Sequence, residues 1–180
     1  AAVEQPHPAP RLPVMPTPFI GRRDEVEQIK SLVQSPTQRL ITLTGPGGTG
    51  KTRLSIQAAA EVSDWFADGV YFVSLATVPS EDAILPVLAN TLGFSFYREE
   101  HPRQQMLDFL RGKKMLIVLD NFEHLMSAAG LITDILANAP EVKLLVTSRV
   151  RLNVQGEQLY PVGGMLAPDA LEAGAWEDPE

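Results

Sequence analysis

The chain has 180 residues, enough for one domain with a tail, and its 44% hydrophobic and 21% charged residues allow a sizeable buried core. Fifteen basic against twenty-two acidic side chains leave a net charge of -7, which argues against this segment gripping nucleic acid by itself. It has no cysteine, so no disulfide framework or thiolate metal site is possible, and no apolar run approaches the about eighteen residues of a membrane span.

Residues 1–18 are proline-rich and lack apolar periodicity, which reads as a linker or extended arm. Pro6, Pro8 and Pro10 stand where a secretory leader would carry its apolar core, so no leader is written here and a cytoplasmic location is expected. The absence of an initiator Met is what a segment starting within a longer protein would show. From Asp24 to Gln34, the spacing of Val26, Ile29, Leu32 and Val33 predicts a helix closed by Pro36. Leu40–Thr44 (L-I-T-L-T) is the first predicted strand, and Lys51–Val62 a helix with Leu54, Ile56, Ala59 and Ala60 available for burial.

Val70–Leu75 is the second predicted strand. Ser80 can cap a helix over Ile84, Leu85, Leu88 and Leu92, with Pro86 inside it as a flaw. Pro102–Leu110 is a further short helix. Met115–Leu119 (M-L-I-V-L) is continuously apolar, as a strand buried on both faces of a parallel sheet should be. A helix through Leu131, Ile132, Ile135 and Leu136 stops near Pro140. Leu144–Thr147 is the fourth strand and Gln158–Val162 a fifth. Strands alternating with helices imply right-handed crossovers and a three-layer α/β sandwich around a parallel sheet. Residues 19–165 form the predicted domain, and the acidic stretch 166–180 reads as a linker or the start of further segments. Trp65, Phe66, Tyr71 and Phe72 are expected in core or edge packing.

Between the first strand and its helix lies G-P-G-G-T-G-K-T, the P-loop pattern G-x-x-x-x-G-K-T, comprising Gly45, Pro46, Gly47, Gly48, Thr49, Gly50, Lys51 and Thr52. Its glycines let successive backbone N–H groups turn toward phosphates where a Cβ would crowd the anion. The helix start at Gly50 adds free N–H groups and the positive end of its dipole. Lys51 supplies a mobile positive charge to the outer phosphates, the Thr52 hydroxyl is a Mg²⁺ ligand, and Arg53 continues the binding segment. Asp120 ends the third strand, where open α/β sheets bind ligands, and can hold Mg²⁺ through water. Many hydrolytic P-loop enzymes place a second acidic residue next; here it is Asn121, whose amide can position water but cannot take its proton. Glu123 or His124 can reach the γ-phosphate region, or both are solvated residues at a helix start. Slow hydrolysis is the expectation. Arg149, in Thr147-Ser148-Arg149 after the fourth strand, suits a γ-phosphate sensor. Phe19-Ile20-Gly21-Arg22 either lines an adenine pocket or forms a hydrophobic staple.

Taken together, P-T-P-F-I-G-R-R-D-E, T-L-T-G-P-G-G-T-G-K-T-R-L, V-L-D-N-F-E-H-L, L-L-V-T-S-R-x-R-L and G-E-Q-L-Y-P-V resemble the nucleotide-binding domain of STAND ATPases. These are signal-transduction relatives of the NB-ARC switches, and the likeness is to large bacterial regulators that join the ATPase module to a DNA-binding or cyclase domain and helical repeats. It runs from about Pro16 to Val162. The resemblance implies a P-loop NTPase sheet ordered 5-1-4-3-2, with Ile20 and Arg22 beside adenine or ribose. It implies phosphates on Gly45 to Thr52, Mg²⁺ served by Asp120, and Arg149 as the sensor arginine. Such domains cycle between an ADP-bound resting form and an ATP-bound form that assembles, so an ATP-dependent homo-oligomer of the full-length protein is implied. Nucleic acid would be met only through an effector domain outside this chain, and the helical and winged-helix segments that cover the nucleotide would lie beyond Glu180. Asn121 departs from the acidic pair of the NB-ARC branch, while N-F-E-H is what the bacterial branch shows. The rival reading is a turnover P-loop ATPase or kinase acting on a small substrate, which needs a second acidic group and a lid arginine. A GTPase would carry N-K-x-D, which does not occur, and a decayed site would not keep Lys51, Thr52 and Asp120.

Overall fold

Five short strands rich in Leu, Ile and Val pair in parallel, because helices after the first three, and a loop after the fourth, carry the chain back to the end of the sheet where each strand starts. The computed structural model describes residues 8–164. Its elements in chain order are α1 (Arg23–Gln34), β1 (Leu40–Thr44), α2 (Lys51–Glu61), β2 (Val70–Ser74), α3 (Ile84–Leu92), α4 (Pro102–Leu110), β3 (Leu116–Asp120), α5 (Ala129–Asn138), β4 (Lys143–Ser148) and β5 (Glu157–Pro161). The strand order is β2-β3-β4-β1-β5, which is the expected 5-1-4-3-2 read from the other edge. The expected tail 166–180 and the first seven residues of the arm lie outside the described residues.

Alternation along the strands divides their side chains between two cores. Ile41, Leu43, Leu116, Val118 and Leu145 face α1 and α2, joined by Val26, Ile29, Val33, Leu54, Ala58 and Ala59. Leu40, Ile117, Leu119, Leu144 and Val146 face α3, α4 and α5, joined by Leu88, Met106, Leu110, Leu131 and Ile135. Every residue of β3 is buried, as its uninterrupted apolar run requires. This is the three-layer sandwich, and its consequence for function is positional. The parallel register sets Thr44 beside Ser148 and brings Leu119 level with Val146, so β1, β3 and β4 all end on one rim.

Pro86 is accommodated because α3 starts at Ile84, which places the proline in the first turn, where its missing N–H has no intrahelical partner to lose. A 3-10 turn, Glu81–Ala83, precedes that helix, and the Ser80 side chain makes no capping bond. Phe66 is buried, and Tyr71 and Phe72 pack partly buried against the two cores. Trp65 departs from the expectation. It sits on a 3-10 turn after α2 has ended, with 51% of its surface exposed. The arm is more ordered than a linker composition suggests. Arg11 joins the free edge of β2, donating its N–H to Val70 (2.8 Å) and accepting from Phe72 (3.1 Å).

Candidate functional site

The turn from β1 to α2 opens with Gly45 at φ 153°, where an added Cβ would lie 2.5 Å from the Val162 carbonyl oxygen just past β5. The Val162 N–H in turn donates to Thr44 (2.7 Å), so the end of β5 presses on the start of the loop, and glycine is the residue that fits. Gly50, at φ 83°, is the N-cap of α2, whose amino end therefore faces the loop's concavity. Lys51, the first residue of α2, is 8% exposed and donates from Nζ to the carbonyls of Gly45 and Pro46, both at 2.7 Å. Burial pushes its ammonium below the ordinary lysine value; Glu123 and Asp120 oppose the shift and Arg149 adds to it. The Thr49 hydroxyl donates to the Pro46 carbonyl (2.9 Å) and stiffens the loop from within.

Across the rim, Asp120 is 4% exposed, and its Oδ1 accepts two hydroxyl protons, from Thr52 and from Thr147, both at 2.7 Å. Thr147 is fully buried near the end of β4 and also accepts the Asn121 N–H at 3.0 Å. One hydroxyl thus fixes both the carboxylate and the left-handed turn at Asn121 (φ 64°, ψ 57°). Sequence reasoning named Thr147 only as a neighbour of Arg149. A β-branched hydroxyl at the end of a buried strand was the signal available.

Asn121 turns the chain into the 3-10 turn Phe122–His124, which separates the two candidates it carries. His124 points away and hydrogen-bonds the Val78 carbonyl at 3.0 Å through Nε2. Glu123 remains at the site: its Oε1 lies 3.7 Å from Arg149 Nε, while its Oε2 is buried without a hydrogen-bond partner. Arg149 lies over the loop, with Nη2 3.0 Å from where a Cβ on Gly47 would be. Together Gly47, Gly48, Gly50, Lys51, Thr52, Arg53, Asn121, Glu123 and Arg149 enclose a cavity of about 360 Å³.

A second cavity, of about 410 Å³, adjoins the first and shares Gly50 and Arg53 with it; its other walls are Thr17, Pro18, Phe19, Ile20 and Arg22. Ile20 is 79% exposed and offers an apolar face there. The staple alternative fails because Arg22 is the N-cap of α1, and the preceding Gly21 has no side chain to pack. Arg22 lines the cavity, but its guanidinium is engaged by the Glu25 carboxylate, by the Thr49 carbonyl and by the Gly163 carbonyl (3.0 Å). The hydrogen bond it donates to Glu25 raises its pKa above the ordinary value against the effect of burial. Arg22 therefore fastens the P-loop to both flanking segments.

Residues 34–153, more than half of the chain, match the family model described as AAA domain. The chain belongs to the AAA domain family. This AAA domain is 33% identical over 158 residues to an uncharacterized protein of Mycobacterium tuberculosis, covering 87% of this chain and 40% of that protein. It is 36% identical over 132 residues to a protein of the same organism named as an HTH-type transcriptional regulator, covering 73% of this chain and 15% of that one. The chain thus spans well under half the length of the curated relatives it matches. Among solved structures it resembles Cdc6p from Pyrobaculum aerophilum (TM-score 0.62, 19% identity, 82% of this chain and 46% of that one). It also resembles the Aeropyrum pernix ORC2 protein, solved as ADPNP and ADP complexes (0.58, 17%, 82% and 50%). A third is the STAND protein with a tetratricopeptide repeat sensor from Pyrococcus horikoshii (0.53, 17%, 86% and 24%). These likenesses establish the P-loop NTPase fold, as the sequence resemblance implied.

The donor set of the AAA domain fits a nucleotide polyphosphate with Mg²⁺. The cradle is built where Cβ atoms at Gly45, Gly47 and Gly50 would meet Val162, Arg149 and Arg22 at 3.0 Å or less. Its cationic groups Lys51 and Arg149 suit an anion, while Arg53 borders the cavity with its guanidinium turned to the arm. Thr52 and Asp120 offer hard oxygens, and with the Thr52 proton engaged by Asp120 the hydroxyl lone pairs are left for a cation. Among the described residues no group of three or more His, Cys, Asp or Glu gathers that could hold a metal ion. No helix among the described residues is long and apolar enough to cross a membrane.

Proposed function

We propose that this AAA domain is an adenine-nucleotide switch that binds ATP or ADP with Mg²⁺, hydrolyses ATP slowly and senses the γ-phosphate through Arg149. The observation that carries it is the pairing of Arg149 with Glu123 across the phosphate cavity, beside an Asp120 followed by an amide. Phosphates rest on the backbone of Gly45 to Thr52, with Lys51 exchanging its contacts with the loop carbonyls for the outer phosphates. Thr52 and Asp120 would hold Mg²⁺, which would neutralise phosphate charge when bound. Asp120 is held in place for this by Thr147. Arg149 is the cation at the rim whose partner is a carboxylate that a γ-phosphate can displace. Glu123 is then the group at the cavity able to accept a proton from water, which Asn121 cannot do. Ile20 and Arg22 border the cavity assigned to adenine and ribose.

The relatives' names and the STAND neighbour support placing this module in a transcriptional regulator of the cytoplasm, with nucleic acid met through an effector domain outside this chain. An ATP-dependent homo-oligomer of the full-length protein goes with the same reading. The test is calorimetric titration with ADP, ATP and GTP, each with Mg²⁺, followed by a phosphate-release assay. Micromolar adenine-nucleotide binding, negligible GTP affinity and little release are expected. Several turnovers each second would replace the switch with a turnover ATPase. Undiminished affinity in Lys51→Ala would remove the phosphate site.

A further inference from the structure

Arg53 occupies an unusual place between the two cavities, since its side chain borders both and yet is anchored to neither strand nor phosphate loop. Its Nη2 donates to two consecutive carbonyls of the N-terminal arm, those of Thr17 (2.9 Å) and Pro18 (3.0 Å). Thr17 and Pro18 form one wall of the 410 Å³ cavity, and Phe19 and Ile20 continue it. The arm is fastened a second time at its far end, where Arg11 pairs with the β2 edge, donates from Nη1 to the Thr91 carbonyl (3.3 Å) and lies 5.6 Å from the Tyr71 ring centroid. Between these anchors Val14 is 94% exposed, so the stretch is held by its ends more than by burial. Pro13, Pro16 and Pro18 limit its conformations, so two good anchors suffice to order it.

We infer that Arg53 is a positioning residue for the base end of the nucleotide site: it clamps the Thr17–Pro18 strap to the first turn of α2 and so keeps the outer wall of the base cavity in place. The inference rests on the nucleotide reading above and extends it to the arm, which composition alone assigns to a linker. A wall held by one arginine on the helix that carries Lys51 and Thr52 ties the fit of the base to the position of the phosphate-binding helix. Loss of the clamp frees the wall without touching the cradle, so it acts on how long a base-bearing ligand stays and leaves a base-free polyphosphate alone.

The test compares wild type, Arg53→Ala and Arg53→Lys by titration with Mg-ADP and with Mg-tripolyphosphate, and by stopped-flow ADP release. Arg53→Ala is expected to weaken ADP by about tenfold, mainly through faster release, for the loss of two charge-assisted hydrogen bonds to the wall. Tripolyphosphate affinity stays within about twofold, which also shows that the P-loop is folded, and Arg53→Lys recovers part of the ADP affinity because an ammonium can donate to both carbonyls. Equal weakening of both ligands would make Arg53 a direct phosphate ligand and overturn the clamp. So would unchanged ADP affinity in Arg53→Ala while wild type binds ADP. Absence of saturable ADP binding by wild type would instead bring down the nucleotide reading, and the clamp with it.

Discussion

Replacing Thr147 with valine keeps the shape of a fully buried side chain and removes only its hydroxyl, so the cost isolates the polar role that the structure assigns to it. Two bonds are lost: the donation to Asp120 Oδ1 at 2.7 Å and the acceptance of the Asn121 N–H at 3.0 Å. A hydrogen bond to a charged group contributes about 1.5–3 kcal/mol, and a stranded buried donor costs about 1–3 kcal/mol. Allowing for partial relaxation, the variant should be destabilised by about 3 kcal/mol. In a domain of this size each kcal/mol moves Tm by about 2–4 °C, so the melting temperature should fall by roughly 6–12 °C. Thermal denaturation followed by circular dichroism reads this directly, with Thr147→Ser as the control that retains the hydroxyl. Mg-ADP affinity should fall as well, because Asp120 would keep only the Thr52 donor. A Tm for Thr147→Val within about 2 °C of wild type, or a Thr147→Ser variant that melts as low, would refute the assignment.

Other substitutions probe separate parts of the site. Gly45→Ala sets a Cβ 2.5 Å from the Val162 carbonyl oxygen, a backbone atom that no rotamer change can move aside, so it should lower Tm and abolish ADP binding. In Gly48→Ala the new Cβ meets nothing within 4 Å and only the φ of 78° resists it, so the loss should be about 1 kcal/mol; equal effects at the two positions would discredit the role of the β5 end. Arg149→Ala should erase any preference for ATP over ADP in competition titrations, and an unchanged ratio would remove its sensor role. Glu61 supplies the pH test. A hydrogen bond from Gln57, and then those from Lys30 and Arg23, hold its carboxyl at about 2 against the ordinary 4.5 of a free glutamate. A carboxyl depressed in the folded state stabilises fully above pH 4.5, and that stability is lost as pH falls toward about 2. The stability difference between wild type and Glu61→Gln, from urea midpoints, should therefore be flat above pH 4.5 and shrink below it; a difference independent of pH would contradict the pairing.

Much of this molecule is legible in local pattern. The run M-L-I-V-L announces a strand with no exposed face, and a glycine-rich turn between a strand and a helix announces a phosphate cradle. These features depend on neighbours within a few residues, where periodicity and backbone sterics act directly. Even the strand order follows, once the motif resemblance is added to the alternation of strands and helices.

What the sequence could not settle is decided between residues far apart in the chain. Glu123 and His124 are adjacent and indistinguishable by local pattern, but the left-handed turn at Asn121, fixed by Thr147, sends one to the cavity and the other to Val78. Arg22 lines the second cavity, and only the fold shows that its guanidinium also joins Thr49 and Gly163 to the start of α1. The arm reads as a linker until Arg11 meets β2 and Arg53 meets Thr17 and Pro18. By itself, then, the sequence determined the elements and the glycine-rich loop between β1 and α2, because propensity, burial period and glycine geometry are local. Which arginine lies over the loop, which meets the arm and which carboxylate faces the cavity is decided by tertiary structure alone. A side chain's hydrogen-bond partner is whatever the packed sheet brings within about 3 Å of it.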